Sequence, residues 1–132
     1  MKRLMFDTKA LIAFFNDEEG ADVVEKLLKN VDYGKVEGYV SAITLTEIYY
    51  LYSRRVNVDT AKKRIEMLKQ SNLKVVPIDE SIAVKAGEYK ALGGIPMADA
   101  VIGASAWFIK AEVVTDDEDF EKMKDIKIFK FR

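Results

Sequence analysis

Residues 97–115, MADAVIGASAWFIKAEVVT, decide how this chain is expected to fold. The segment from Met97 to Ile109 carries one charge among residues that are apolar or small on every side, which is typical of a helix buried all round. Glu112 to Thr115 then has the pattern of a short strand with few charges, as expected for a strand covered on both faces of a sheet. A buried helix leading into such a strand predicts a parallel α/β sheet with helices packed on it.

The same alternation of short strands and helices extends over the whole chain. Strands are predicted at Leu4 to Phe6, Gly38 to Val40, Leu73 to Ile78, Glu112 to Thr115 and Ile126 to Phe131. Helices are predicted at Ala10 to Phe15, Glu18 to Val31, Thr44 to Val56, Asp59 to Gln70, Asp79 to Leu92, Pro96 to Ile109 and Asp117 to Met123. We expect the first, third and fourth strands to be buried on both faces, and the alternating last strand to lie at an edge. The pattern predicts one domain over residues 1–132, an α/β/α three-layer sandwich around a mostly parallel sheet of about five strands.

Composition restricts the chemistry of the chain. Its 132 residues include no His and no Cys, which excludes a Ser-His-Asp triad, a thiol nucleophile and any His- or Cys-ligated metal. A metal would have to be bound by oxygen, which favours Mg²⁺, Mn²⁺ or Ca²⁺. The formal net charge of -1 argues against a general polyanion-binding protein.

No apolar run approaches the ~20 residues that span a bilayer, and Asp7 comes too early for a signal peptide, so we expect a cytoplasmic protein.

Two acids stand where a solvated charge is not expected. Asp7 directly follows the first strand, where it fits a helix N-cap as well as a metal ligand. Glu47 lies within a predicted helix, and its neighbours one turn away are Ile43, Tyr50 and Leu51. A carboxylate on this largely apolar face needs a partner. Alternatively, the helix is rotated so that Glu47 lies at the boundary of the core, or a nearby arginine of the same helix pairs with it.

Further acids flank the buried helix and the strand that follows it. Asp99 is the one charge of that helix; its first-turn position favours an acid, so a side chain that points to solvent is the alternative. Asp116, Asp117 and Asp119 follow the fourth strand, where an acidic helix N-terminus is the alternative. Other acids, such as Glu18, alternate with Lys and Arg and are expected to be solvated.

The positions of these acids predict a cation site. They fall at strand ends or helix starts, and such positions converge on one edge of a parallel sheet. Like charges so close together raise each other's pKa. Because no Lys or Arg lies within the apolar segments, we expect a divalent cation to neutralise them. Oxygen ligands alone favour Mg²⁺ or Mn²⁺, which usually serve phosphate chemistry.

Four motifs, in this order, resemble those of the PIN-domain ribonucleases. They are LMFDTKALI at 4–12, SAITLTEI at 41–48, ADAVIGA at 98–104 and VVTDDEDF at 113–120. The resemblance covers nearly the whole chain and is greatest to the small VapC-type toxins of toxin–antitoxin pairs. It implies a metal-dependent endoribonuclease.

The resemblance also implies which residues form the site. The acidic quartet of the family would fall on Asp7, Glu47, Asp99 and Asp117. Asp119 matches a further acid of many members, Thr115 matches a hydroxyl residue that orients the site, and Thr8 stands where Ser or Thr is frequent. Because Asp116 and Asp117 are adjacent, the resemblance leaves open which of the two is the fourth acid.

The implied cofactors and partners follow from the same resemblance. One or two Mg²⁺ or Mn²⁺ ions would bind the scissile phosphate of RNA and activate water, which would leave a 3′-hydroxyl and a 5′-phosphate. The family implies a homodimer and a small antitoxin that inserts near the acidic site. Lys9, Arg54 and Arg55 are candidates for RNA contacts, and the alternative is that they are solvated surface charges.

The helix that carries Glu47 has a second apolar stripe. Tyr49, Tyr52 and Val56 form it, and either a wide core contact or an interface with a dimer mate or other partner explains it.

Two other functions fit parts of the pattern. One is a non-catalytic PIN-like scaffold that binds RNA or protein. The other is a different Mg²⁺-dependent phosphoryl-transfer domain, such as a receiver domain. A receiver domain would have paired acids after the first strand and a Lys after the fifth, and this chain has Asp7-Thr8 and no convincing match near residues 126–131.

Overall fold

A computed structural model describes residues 1–132 as alternating strands and helices, close to the predicted elements. The strands are β1 (Arg3–Phe6), β2 (Glu37–Ser41), β3 (Lys74–Val76), β4 (Glu112–Thr115) and β5 (Ile128–Lys130). The helices are α1 (Thr8–Phe15), α2 (Ala21–Asp32), α3 (Ala42–Arg55), α4 (Val58–Gln70), α5 (Glu80–Ala91) and α6 (Met97–Ile109). The last predicted helix is a 3₁₀ helix, Glu118–Lys122. Each helix is too short or too polar to cross a membrane.

The five strands form one sheet in the order β3-β2-β1-β4-β5, and every neighbouring pair is parallel. In the centre, Met5 is aligned with Tyr39 of β2 and with Val113 of β4. The predicted parallel α/β fold is therefore confirmed. The strand order differs from the 2-1-3-4-5 order of flavodoxin-like domains, to which receiver domains belong, so that alternative does not fit.

The two faces of the sheet bury separate cores because successive side chains of a strand point to opposite sides. Leu4 and Phe6 of β1 belong to a core formed with α1, α2, α3 and α4. Met5 belongs to a second core formed with α5, α6 and the 3₁₀ helix. This arrangement is the predicted three-layer sandwich.

The two edge strands of the sheet are β3 and β5, and the sequence predicted the edge position for β5 alone. The last strand, β5, pairs only with β4, so its predicted edge position is confirmed. The third strand is also an edge strand, and Val75 is 42% exposed, so the prediction that it is buried on both faces is wrong. A short apolar run has the same pattern at an edge and in the centre, because strand order depends on distant segments.

The prediction that α6 is buried on all sides is confirmed over most of its length. All seven residues from Ala100 to Ala106 are buried. Gly103 allows the close approach of a neighbour: a Cβ at this position would overlap the sulfur of Met123, which is itself buried. Small residues in α6 thus let the segment that follows the 3₁₀ helix pack against the helix.

We expect Gly103→Ala to lower the free energy of unfolding by about 1–3 kcal/mol, because the added methyl group overpacks the core around Met123. Gly87→Ala in α5 is the matched control, since a Cβ there meets nothing within 4 Å. That control should stabilise the protein by about 0.5–1 kcal/mol through helix propensity. Urea denaturation of the two variants measures both effects, and a stabilised Gly103→Ala protein would contradict the close packing.

Candidate active site

A cleft opens at the carboxyl edge of the sheet, where β1, β2 and β4 end side by side. The chain reverses its direction across the sheet between β1 and β4, which is the usual location of sites in open parallel sheets. The cleft has a volume of about 240 Å³. Its lining consists of Asp7, Thr8, Lys9, Ile12, Glu18, Glu47, Leu51, Arg55, Asp99 and Arg132.

Asp7 is buried at the end of β1 and caps α1. Its Oδ1 accepts a hydrogen bond from the Ala10 N–H at 2.7 Å, and its Oδ2 accepts one from the Thr115 hydroxyl. Burial raises the pKa of Asp7 to about 7, although both hydrogen bonds oppose the rise. The N-cap interpretation of Asp7 is therefore confirmed. Each carboxylate oxygen keeps a further lone pair, so capping does not exclude metal binding.

Thr115 connects the carboxylate of Asp7, after β1, to the backbone of Asp117, after β4. Its hydroxyl donates to Asp7 and accepts from the Asp117 N–H at 2.9 Å. Asp117 caps the 3₁₀ helix by accepting from the Asp119 N–H at 2.9 Å. The neighbouring Asp116 instead accepts from Nε of Arg132 at 2.6 Å. Asp117 is thus held beside Thr115, whereas one oxygen of Asp116 is paired with an arginine.

Glu47 lies on α3 and reaches the cleft through Thr8. The Thr8 hydroxyl donates to Glu47 Oε1 at 2.6 Å and lies 3.2 Å from the Thr44 hydroxyl. Glu47 is half-buried, and it forms no salt bridge with Arg54 or Arg55. It therefore lies at the boundary of the core with a hydroxyl partner, which is the rotated-helix alternative. Leu51 and Arg55 follow at four-residue spacing and line the same cleft.

Asp99 meets Asp117 and Asp119 across the end of β4. One carboxylate oxygen from each of the three residues lies within 4.8 Å of those of the other two. Burial, followed by the charges of Asp117 and Glu47, raises the pKa of Asp99 to about 7. Asp99 therefore points into the cleft, and the alternative of a solvent-directed first-turn charge is wrong.

Two lysines partly neutralise this cluster. Lys9 Nζ lies 3.2 Å from Asp117 Oδ2, and Lys122 Nζ lies 3.0 Å from Asp119 Oδ1. Burial opposes ionisation of Asp117, but the Asp119 N–H and the Lys9 ammonium hold its pKa below the usual value. Lysines outside the apolar segments thus pair with Asp117 and Asp119, so a divalent cation would not be the only positive charge beside these two acids. Asp99 forms no salt bridge, so negative charge remains uncompensated.

Glu18 and Arg132 belong to the cleft, although the sequence gives no sign of it. Arg132 donates to Glu18 Oε1 at 3.1 Å, as well as to Asp116. Glu18 is exposed, as expected for a solvated acid, and its pairing with Arg132 is the feature that the sequence did not indicate. The two residues are 114 positions apart, so only the return of the chain along β5 brings them together.

The second apolar stripe of α3 is divided between core and surface. Tyr52 is buried, and its hydroxyl donates to Asn16 Oδ1 at 2.7 Å. Tyr49 and Val56 are 40% and 59% exposed. Tyr52 is therefore a core residue, and an apolar surface remains beside it.

The donor set of the cleft suits a hard cation. Its potential ligands are carboxylate oxygens without nitrogen or sulfur, the combination that divalent Mg²⁺-like ions prefer. The pKa of Asp99 is raised first by burial and then by the neighbouring charges of Asp117 and Glu47, and Asp99 itself forms no salt bridge. Fold and site together define a parallel α/β protein with a cluster of acidic side chains at its carboxyl edge.

The family is shown by comparison with known sequences. The family model described as PIN domain matches residues 4–126, which is most of the chain. This chain therefore belongs to the PIN domain family. No curated protein matches its sequence.

Solved structures of VapC-type proteins share the fold. A chain of DNA-bound VapBC from Salmonella typhimurium is 22% identical, has a TM-score of 0.78 and is matched over 100% of both chains. A chain of VapBC2 from Rickettsia felis bound to promoter DNA is 18% identical, with a TM-score of 0.75 over 96% of this chain and 97% of that one. VapC20 from Mycobacterium tuberculosis, a toxin that cleaves the sarcin–ricin loop, is 16% identical, with a TM-score of 0.72 over 92% and 95%.

Proposed function

We propose that this chain is a divalent-metal-dependent endoribonuclease and the toxin of a type II toxin–antitoxin pair. The observation that carries the proposal is the approach of Asp99, Asp117 and Asp119 within 4.8 Å, with Asp7 and Glu47 lining the adjoining cleft. Membership of the PIN domain family and the shared fold with the sarcin–ricin loop-cleaving VapC20 support RNA as the substrate.

The acids would hold Mg²⁺ or Mn²⁺, with Asp99 and Asp117 as the central ligands and Asp7, Glu47 and Asp119 beside them. When bound, such an ion supplies an activated water and stabilises charge on the scissile phosphate. Thr115 keeps Asp7 and Asp117 at a fixed separation because it hydrogen-bonds to both. Thr8 donates to Glu47 Oε1 at 2.6 Å and thereby orients that side chain in the lining of the cleft.

Cationic side chains around the acids would bind the RNA backbone. Lys9 and Arg55 are exposed residues that line the cleft, and Arg55 has no ion pair. Arg54 does not line the cleft, so we propose Arg55 rather than Arg54 as the contact from α3. Such charges position a phosphodiester without reading its sequence.

A small antitoxin would be the protein partner of this chain. The solved VapBC structures are complexes of toxin and antitoxin chains, and two acids of the cleft here, Glu47 and Asp99, form no salt bridge. An arginine or lysine of the antitoxin would neutralise them in place of metal. The product of a neighbouring reading frame should bind this protein and lower its activity. If that product does neither, the antitoxin part of the proposal fails.

A homodimer would cover part of the exposed apolar surface of α3. Tyr49 and Val56 offer such a surface next to the cleft. Light scattering of the purified protein tests this directly. A monomer at micromolar concentration would contradict the dimer and leave the nuclease proposal unaffected.

The nuclease proposal is tested on a panel of structured and unstructured RNAs with Mn²⁺, in parallel with EDTA. Cleavage that requires the metal and leaves 3′-hydroxyl ends supports it. If the folded, metal-loaded protein cuts none of the panel but binds RNA whether or not Asp99 is replaced, the scaffold alternative holds instead.

We expect Asp117→Asn to reduce cleavage by at least about 100-fold and Asp116→Asn by less than about fivefold. The reason is that Asp117 lies with Asp99 and Asp119, whereas Asp116 is paired with Arg132. Losing a metal ligand costs several kcal/mol of transition-state stabilisation, at about 1.36 kcal/mol per tenfold in rate. Single-turnover cleavage of one labelled RNA by both variants measures the difference. The reverse order of effects would assign the fourth acid to Asp116.

A further inference from the structure

A second and larger cavity lies at the amino edge of the sheet, away from the carboxylates. Its volume is about 810 Å³, and the starts of β1 and β4, the end of α6 and the residues before β5 form it. We call it the amino-edge groove. Arg3 is four residues before Asp7 on β1, which is about 13 Å along a strand, so the groove is separate from the acidic cleft.

Two adjacent aromatic rings are exposed in this groove. Trp107 is 37% and Phe108 is 48% exposed, although the seven preceding residues of α6 are buried. Lys85 lies 4.7 Å from the centre of the Trp107 ring, and Phe108 contacts no other ring or cation. The groove therefore presents aromatic surface that the fold itself does not cover.

Positive charge without a counterion lines the same groove as these rings. Lys110 and Lys127 line the groove and form no salt bridge. The other two basic residues of the lining are paired, Lys2 with Glu112 at 3.1 Å and Arg3 with Glu37 at 3.2 Å.

The one remaining acid of the lining is also compensated. Asp125 accepts from Lys85 Nζ at 2.7 Å and from the Tyr89 hydroxyl. The acidic cleft repels a polyanion unless metal is bound, whereas this groove attracts one.

We infer that the amino-edge groove binds a single-stranded segment of RNA, with Phe108 and Trp107 stacked on bases and Lys110 and Lys127 paired with phosphates. Exposed aromatic rings beside cations are the combination that binds single strands without sequence readout. The inference rests on the proposed function, since the RNA would be the substrate, held at a second point away from the site of cleavage. An acidic peptide could exploit the lysines, but it has no equivalent use for two exposed rings.

The test exploits the position of Trp107, which is the only Trp of the chain. A uridine 10-mer is titrated into the protein in EDTA, so that no metal attracts RNA to the acidic cleft and no cleavage occurs. We expect saturable quenching of Trp fluorescence and a matching rise in the anisotropy of labelled RNA. The absence of both signals overturns the inference, as does quenching by polyglutamate and not by RNA.

Matched variants locate the binding. Lys110→Gln with Lys127→Gln should weaken binding about tenfold, and should reduce the slope of log affinity against log salt by about 1.4, or about 0.7 per phosphate contact on a single strand. Lys62→Gln with Lys69→Gln is the control, because both lysines are exposed on α4 and unpaired; it should change affinity less than about twofold. Phe108→Ala should weaken binding at least about fivefold. Equal losses in the two double variants would overturn the inference.

Cleavage assays separate this inference from the proposed function. If Lys110→Gln/Lys127→Gln binds RNA like the wild type while Asp99→Asn abolishes cleavage, the groove is not a binding site and the nuclease stands. If RNA quenches Trp107 but no RNA is cut with Mn²⁺, the groove stands and the nuclease proposal fails.

Discussion

Asp99→Asn is expected to reduce metal-dependent RNA cleavage by about 10³-fold or more. Asp99 supplies one of the three carboxylate oxygens that lie within 4.8 Å of one another, and the burial of this side chain points it into the cleft. An amide is neutral and a weaker ligand for a hard cation, and about 4 kcal/mol of lost transition-state stabilisation corresponds to 10³ in rate. The measurement is single-turnover cleavage of a labelled RNA over a range of Mn²⁺ concentrations.

The matched control for this substitution is Asp59→Asn on α4. Asp59 is 81% exposed and is remote from the cleft lining, so the same chemical change should leave cleavage within about twofold. Asp99→Asn should also remain folded, because asparagine has nearly the same shape and a neutral side chain removes repulsion from Asp117 and Glu47. Wild-type rates in the Asp99→Asn protein would show that the acidic cluster is not the site of RNA cleavage.

The second large expected effect is a loss of stability as the pH rises in the absence of metal. Burial raises the pKa values of Asp7 and Asp99 to about 7, from 3.8 for an unperturbed Asp. The folded state therefore binds more protons than the unfolded state between about pH 4 and pH 7, and the free energy of unfolding falls as the pH rises through that range. Above about pH 7 both groups are ionised and the loss is complete.

The expected loss between pH 5 and pH 8 is about 2 kcal/mol. The shift at Asp7 alone would give more, at about 1.36 kcal/mol for each pH unit, but relaxation and water entry reduce it. Acids whose pKa is lowered, such as Asp117 and Asp125, lose their contribution only below about pH 4 and do not affect this range.

Urea denaturation in EDTA at pH 5 and pH 8 measures the effect. Asp99→Asn should be less pH-dependent than the wild type, and Asp17→Asn, an exposed residue at φ 51° where asparagine is well tolerated, should not differ from it. Mn²⁺ at pH 8 should restore stability to the wild type, because it binds the ionised carboxylates. A wild-type protein that is more stable at pH 8 than at pH 5 in EDTA would contradict the raised pKa values.

The strands and helices were predictable because their signals are local. Helix α6 begins at Met97, one residue after the predicted start at Pro96, which is its N-cap, and ends at Ile109 as predicted; β4 has both predicted ends, Glu112 and Thr115. The errors concern the ends of elements. Helix α2 was predicted to begin at Glu18 but begins at Ala21, after Gly20 in a left-handed conformation. Glu18 is outside the helix and pairs with Arg132.

The sequence positions of the candidate acids, relative to the strands and helices, predicted that they lie together. The contacts that each acid makes could not be predicted in this way. Asp7, Asp99 and Asp117 follow strands or start helices, and parallel strands bring such positions to one edge. The choice between Asp116 and Asp117 was open in the sequence, because both fit the same turn. In the structure Arg132 pairs with Asp116, and Asp117 lies near Asp99 and Asp119; Arg132 is 16 residues from Asp116 and lies beyond the end of β5.

The sequence by itself determined the parallel α/β class, the oxygen-only chemistry and the acids available for it, because periodicity and composition act over a few residues. Only the tertiary structure decided that β3 is an edge strand, that Lys9 pairs with Asp117 across 108 residues, and that Glu18 lines the cleft. The physical reason is that ion pairing and burial depend on distances between segments far apart in the chain. Those distances are set by how the strands are ordered, and no local pattern contains that order.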